Sequence, residues 1–229
     1  MKTSADLSQL DALGRYALRY VKEGQTIGLG TGRAASAFIR ALGESGMAVR
    51  GVATSHASAD LARSLKIELV ELRDAPKLAA DFDGADEVDA RLHMIKGLGG
   101  AMVRERVVAA AARKRIFLVG EEKLVKRLGE HGNLPVEVVP FAVTFVQRQI
   151  ATLGLKPKLR QDAGGSEIVS DNGNLILDCG VREIRNPARL ERDLLMIPGV
   201  VGTGLFTGIA DLVLVALHDG KIKTIRRKY

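Results

Sequence analysis

TIGLGTGRAASAF, residues 26–38, decides the fold. A short β-favouring run, TIGLG (26–30), breaks into glycines 28, 30 and 32 and opens a segment of helical spacing over 33–42. Glycines at a strand-to-helix junction let the backbone turn sharply and come close to a ligand, and the N–H groups of a helix start attract an anion. A phosphate is the natural guest. Gly30-x-Gly32-x-x-Ala35 also fits a loose dinucleotide fingerprint, which expects an acid about 20 residues on, at the end of the next strand, to hold the ribose hydroxyls. Here that strand ends in Ala53, Thr54 and Ser55. A nicotinamide or flavin dinucleotide is therefore disfavoured, and a small sugar phosphate is favoured.

Outward from this junction the pattern repeats. Strands are expected at VRGVAT (49–54), ELVEL (68–72), DFDGA (81–85), LHMIKG (92–97) and IFLVG (116–120), with helices over 5–22, 33–42, 57–65 and 100–114. Alternating strands and helices give an α/β fold with a largely parallel sheet flanked by helices. From about Leu128 the order changes to strand, helix, strand, strand, helix, strand: LPVEVVP, FAVTFVQRQIATLG, KPKLR, LILDC (175–179), a helix over 187–196, and IPGVV. Asp171, Asn172 and Gly173 supply the hairpin turn. This reads as a smaller inserted α+β domain over 129–202. The apolar strand LVLVAL (212–217) and the strand at 221–226 have two homes open to them; the apolar run fits a buried position in the large sheet better than an edge of the small module, which puts 1–128 and 203–229 in one domain.

Composition narrows the function. Apolar residues make up 46% and charged residues 27%, the balance of a folded globular protein. No run approaches the roughly 18 apolar residues of a membrane span, and MKTSADLSQLDALGRY lacks a signal-peptide core, so the cytoplasm is the expected location and no membrane partner is expected. The single cysteine, Cys179, closes no intrachain disulfide, which agrees with a reducing compartment. The net charge is +7, but five basic residues stand in KIKTIRRKY at the end, leaving only +2 elsewhere. Aromatics are 4% with no tryptophan, so the basic end reads as a solvated strand and not as a nucleic-acid surface.

Three further stretches carry chemistry. In ATSHASAD (53–60), Thr54, Ser55 and Ser58 are suited to a ligand hydroxyl or to helix capping, and His56 reads as plain surface. DFDGADEVD (81–89) gathers five acids in nine positions, and Asp83 and Asp86 fall where the carboxyl end of a strand faces the crevice of an open α/β sheet. Carboxylates there accept hydrogen bonds from sugar hydroxyls or move protons, with a divalent metal site and an acidic turn as alternatives. In IKGLGGAMVRERVVAAAARKR (95–115), Lys96 ends a strand, Gly97, Leu98, Gly99 and Gly100 form a loop suited to an oxyanion, and a helix follows. Val103, Val107 and Ala110 mark its expected packed face. Glu105, about 200° around from Val103 at 100° per residue, is expected to face away from it.

GLGTGRAASAFI, DFDGADEVD, IKGLGGAMVRER, LPVEVVPFA, SDNGNLILD and IPGVVGTGLF closely resemble, in order and spacing, the ribose-5-phosphate isomerases of the A type, from about Leu13 to Ile225. The resemblance implies a cofactor-free interconversion of D-ribose 5-phosphate and D-ribulose 5-phosphate. It implies that Glu105 is the proton-transferring base and that Asp83, Asp86 and Lys96 are catalytic. Gly30, Thr31, Gly32, Arg33 and Ala34, with Thr54, Ser55, Gly84, Ala85, the 97–100 loop and Lys123, would bind substrate. It further implies a Rossmann-like large domain completed by the C-terminal strands, a ferredoxin-like small domain that contributes to a homodimer or tetramer, and no metal. Four places depart from the family. Arg33-Ala34 replaces two hydroxyl residues, Leu98 replaces a glycine, Arg106 replaces a lysine, and Leu10 and Asp11 stand where a substrate-contacting lysine is common. The competing expectations are a non-catalytic sugar-phosphate sensor of related fold, a metal-dependent enzyme and a nucleic-acid binder.

Overall fold

A computed structural model describes residues 4–75 and 77–227; Lys228 and Tyr229 of the basic end lie outside the described residues. In chain order the helices are α1 (Ser4–Ala17), α2 (Arg33–Ser45), α3 (His56–Ser64), α4 (Met102–Ala111), α5 (Val143–Thr152) and α6 (Pro187–Leu195). The first strands are β1 (Thr26–Leu29), β2 (Arg50–Ala53), β3 (Glu68–Leu69), β4 (Ala80–Gly84), β5 (Glu87–Val88), β6 (Met94–Ile95) and β7 (Arg115–Gly120). They are followed by β8 (Asn133–Val138), β9 (Lys156–Leu159), β10 (Leu175–Gly180), β11 (Val200–Thr203), β12 (Leu205–Phe206), β13 (Leu212–Ala216) and β14 (Ile222–Arg226).

Contacts divide the chain into two units. The first takes the residues up to Ala85, Arg104–Leu124, and those from Ile209 on. Its seven-stranded sheet has the order β14-β13-β7-β4-β1-β2-β3. Every neighbouring pair is parallel except β13 with β14. The apolar run 212–216 is buried along its whole length beside β7, as a strand flanked on both sides must be. One face of the sheet is covered by Leu13 of α1 and by Phe38 and Leu42 of α2, with Phe38 stacked on Phe82 of β4 at 4.2 Å between ring centroids. On the other face Val108 and Ala112 pack with Val52 and Leu78. Gly28 lies under Val108, and a Cβ there would collide with the valine side chain.

The second unit comprises Asp86–Val103 and Val125–Gly208. β8-α5-β9-β10-α6-β11 builds an antiparallel sheet of order β11-β8-β10-β9, which is the ferredoxin-like arrangement. Leu134, Val136 and Val138 alternate inward with Leu175, Leu177 and Cys179, and meet Val146 and Ile150 of α5 and Leu194 of α6. At the hairpin Gly173 takes φ +78°, the conformation that the Asp-Asn-Gly turn requires.

Two expectations change. The stretch 92–97 is not a strand of the parallel sheet: only Met94–Ile95 pairs, in a three-stranded antiparallel sheet of order β12-β6-β5 within the second unit. Residues 86–103 accordingly go with the second unit, whereas the sequence reading put the whole of 1–128 in the Rossmann-like domain.

Candidate active site

The large sheet reverses its strand order between β1 and β4: β2 and β3 continue to one side of β1, and β4, β7 and β13 to the other. In an open α/β sheet such a switch point, at the carboxyl ends of the strands, is where ligands bind. The predicted residues of the first unit sit along that edge. Thr54 and Ser55 follow β2, Gly30 to Ala34 follow β1, Asp83 and Gly84 end β4, and Lys123 closes a single 3-10 turn after β7.

Asp83 organises the switch point. Fully buried, its Oδ1 accepts from the backbone N–H of Thr31 at 3.0 Å and of Gly84 at 2.7 Å. Gly30 has to be glycine, because a Cβ would run into the Asp83 carboxylate. Gly32, at φ +103°, turns the chain into α2 with open space around it and no side-chain cap. The positive end of the α2 dipole thus lies at this turn, a setting that favours an anion. Arg33 and Ala34 are the first residues of α2 and half-buried.

The hydroxyls form a network of their own. Thr31 Oγ1 lies 2.8 Å from Thr54 Oγ1, 2.8 Å from Ser55 Oγ and 3.2 Å from Ser58 Oγ. Ser58 donates to the Gly30 carbonyl at 2.6 Å, and Ser55 caps α3 by accepting from Ser58 N–H at 3.1 Å. Thr54 and Ser55, predicted as ligand contacts, are buried and are engaged by the protein itself, fixing Thr31 from below. Ser58, expected as a ligand hydroxyl or a helix cap, ties the two junctions together. Leu10 is in the core, and Asp11 lies 4.0 Å from Arg40, so neither supplies the absent lysine.

In the second unit Asp86, Lys96 and the glycine loop come together. Asp86 Oδ2 accepts from Leu98 N–H at 3.1 Å, and its own N–H donates to the Ile95 carbonyl. Lys96 is 2% exposed; its backbone N–H donates to the Gly204 carbonyl, and its ammonium stands 5.5 Å from the centre of the Phe206 ring. Residues 97–100 make a turn closed by Gly100 N–H on the Gly97 carbonyl at 3.0 Å, with Gly97 at φ +97° and Gly100 at φ +83°. Leu98 occupies a position in this turn that does not need positive φ, which explains how leucine stands there. The neighbouring acids serve the scaffold. Glu87 accepts from the N–H groups of Gly129 and His131, and Asp89 from those of Arg91 and His93. Among the described residues no three His, Cys, Asp or Glu side chains gather as ligands for one ion.

Glu105 overturns its expected placement. In the first turn of α4 it is 4% exposed, in a buried stripe with Met102, Val108, Ala109 and Ala112, while Val107 is 47% exposed. The face read as packed is the outer one.

Arg160 went unnoticed in the sequence, where KPKLR was only a strand. Its Nε and Nη2 donate to the two oxygens of Asp178 at 2.8 and 2.5 Å, and its Nη1 to the carbonyls of Leu98 and Gly97 at 3.0 and 3.3 Å. Burial pushes the Asp178 carboxyl up, but the bonds from Arg160 and Asn133 prevail and hold it below the usual range.

An α/β protein with a buried carboxylate and a glycine-turned helix start at its switch point, and no acid for a nucleotide ribose, belongs with enzymes that act on small phosphorylated sugars. The comparisons narrow that class. The family model for ribose 5-phosphate isomerase A (phosphoriboisomerase A) matches residues 50–220. The chain is 46% identical over 213 residues to ribose-5-phosphate isomerase A of Roseiflexus sp. (strain RS-1), covering 91% of each. The structure of ribose 5-phosphate isomerase A from Methanocaldococcus jannaschii matches with a TM-score of 0.90 at 39% identity, over 96% of this chain and 98% of that one. A D-ribose-5-phosphate isomerase in complex with phospho-erythronic acid matches with a TM-score of 0.92 at 34% identity, over 96% and 98%. The chain belongs to the ribose-5-phosphate isomerase A family, and it is an aldose-ketose isomerase.

Proposed function

We propose that Glu105 is the base of an enediolate isomerisation between D-ribose 5-phosphate and D-ribulose 5-phosphate. The observation that carries this is the burial of Glu105: a carboxylate is held in the apolar stripe of α4, where a hydrophobic residue would pack at no electrostatic cost. Aldose and ketose differ by one proton moved between C1 and C2. Glu105 takes the C2 proton of the open-chain aldose, the electron pair passes to the carbonyl oxygen, and the same carboxyl returns the proton to C1. The developing oxyanion is met by Lys96 and by the Gly99 N–H of the 97–100 loop. Asp83 and Asp86 bind hydroxyls, assist ring opening and pass the proton between O1 and O2. The α2 start at Gly32–Ala34 and Lys123 receive the phosphate.

A structural relative is solved in complex with phospho-erythronic acid, a phosphorylated sugar acid, which supports a phosphorylated sugar as the substrate. The sensor alternative is not favoured, since a site that only binds has no use for a buried base. We also propose a cytoplasmic homodimer formed through the second unit, where Phe141 is fully exposed and Met196 is 76% exposed.

The test is isomerisation of ribose 5-phosphate by purified protein with a chelator present, wild type against Glu105→Gln. A loss of about 10²- to 10⁴-fold in kcat with binding retained is expected. A Glu105→Gln protein that turns over at the wild-type rate removes Glu105 from the mechanism.

A further inference from the structure

We propose that Arg160, ion-paired with Asp178, is a positioning residue that aims the backbone N–H groups of the 97–100 loop. The proposal rests on the oxyanion role given to that loop above. No cis peptide occurs among the described residues, and in a trans peptide the C=O and the following N–H point in opposite directions. One guanidinium nitrogen draws in two successive carbonyls, those of Gly97 and Leu98. The two N–H groups that follow, of Leu98 and Gly99, must then be turned away from Arg160. The first is taken by Asp86 Oδ2, so the Gly97–Leu98 peptide is gripped at both ends. The second belongs to Gly99, an exposed residue at the tip of the turn, and is the donor left to face a substrate oxyanion.

Arg160 itself has little freedom. Its side chain is 11% exposed, and its two other donating nitrogens lie on the two oxygens of Asp178, whose Oδ1 is fixed in turn by Asn133 Nδ2 at 2.8 Å. A planar fork of donors is needed to hold a carboxylate with two nitrogens while a third reaches the carbonyls; an ammonium cannot do both. The loop is thus referenced to the rigid β9–β10 pair, in which Asp178 lies opposite Lys158 and Arg160 N–H donates to the Ile176 carbonyl.

The experiment compares wild type, Arg160→Lys and Arg160→Ala, the last with and without added guanidinium ion. The readouts are ribose 5-phosphate isomerisation and amide hydrogen exchange. Arg160→Lys keeps a positive partner for Asp178 and so keeps the test open if the alanine variant fails to fold. The expected result is a fall of about 10- to 100-fold in kcat with KM changed much less, as for a displaced catalytic group. Faster exchange over 97–100 should accompany it, with 134–138 and 175–180 unaffected, and guanidinium should partly restore the alanine variant. Wild-type kcat and exchange in Arg160→Lys would overturn the proposal, as would exchange rising equally throughout the small sheet. If the wild type itself fails to isomerise, the functional assignment falls, while loop exchange still decides whether Arg160 holds the turn.

Discussion

Asp83 Oδ1 sits 3.0 Å from the backbone nitrogen of Thr31, joining the end of β4 to the turn after β1 across the point where the strand order reverses. One carboxylate oxygen therefore sets the entrance to α2. Asp83→Ala leaves the N–H groups of Thr31 and Gly84 without this acceptor and is expected to destabilise the protein by roughly 1–3 kcal/mol. Asp83→Asn keeps an acceptor and should lose stability less than activity. Thermal melts run beside initial rates separate the two effects.

The glycines of the same turn differ in what they forbid. A Cβ at Gly30 collides with Asp83, whereas one at Gly32 meets open space and is opposed only by φ +103°. Gly30→Ala should displace Asp83 and abolish most activity. Gly32→Ala should cost about 1 kcal/mol or somewhat more in backbone strain, and should act mainly on KM through the helix start. Steady-state kinetics on both variants test the contrast.

Acid should loosen the second unit through Asp178. Its folded-state pKa lies below the reference 3.8, so its contribution to stability is fully present above that value and is lost as pH falls through the lowered one. Asp178→Asn should lower the melting temperature at pH 7 and narrow the gap to wild type as the pH drops toward 3. A gap that stays constant over that range would rule out the ion pair as its source.

Cys179 is buried in the small-sheet core, and burial, then the charge of Asp178, push its thiol up to about 12. At pH 8 only about one thiol in 10⁴ is then ionised. Iodoacetamide should leave the native protein unmodified over hours and label it stoichiometrically in denaturant, read by mass spectrometry.

The sequence was legible where local chemistry and periodicity agree. The strands at 26–29, 50–53 and 115–120 and the ferredoxin-like order after residue 130 follow from short β-branched runs, helical spacing and turn residues, all of them local signals. The face of α4 was not legible. Val103, Val107 and Ala110 form as good a stripe as the one actually buried, and the buried one includes a glutamate, which a hydrophobic pattern counts against it. Strand 92–97 was misplaced because two apolar residues in a row cannot say which sheet they join. Arg160 and Asp178 stand 18 residues apart on paired strands, and only the register of the hairpin brings them into contact with each other and with the turn at 97–100. The acids and glycines are singled out by the motifs alone; the residues that hold them in place are visible only through tertiary contacts.

β13 lies between β7 and β14, although it follows every other strand of the large sheet except β14 in the chain. On a ribosome, β7 leaves the exit tunnel long before its neighbour does, and its fully apolar 116–119 segment must wait, one edge open, while residues 121–211, most of them of the other unit, are made. The nascent enzyme is thus most vulnerable to edge-to-edge association after the residues proposed for its chemistry have been synthesised and before its last two strands arrive, which makes this interval the one where a chaperone would matter most.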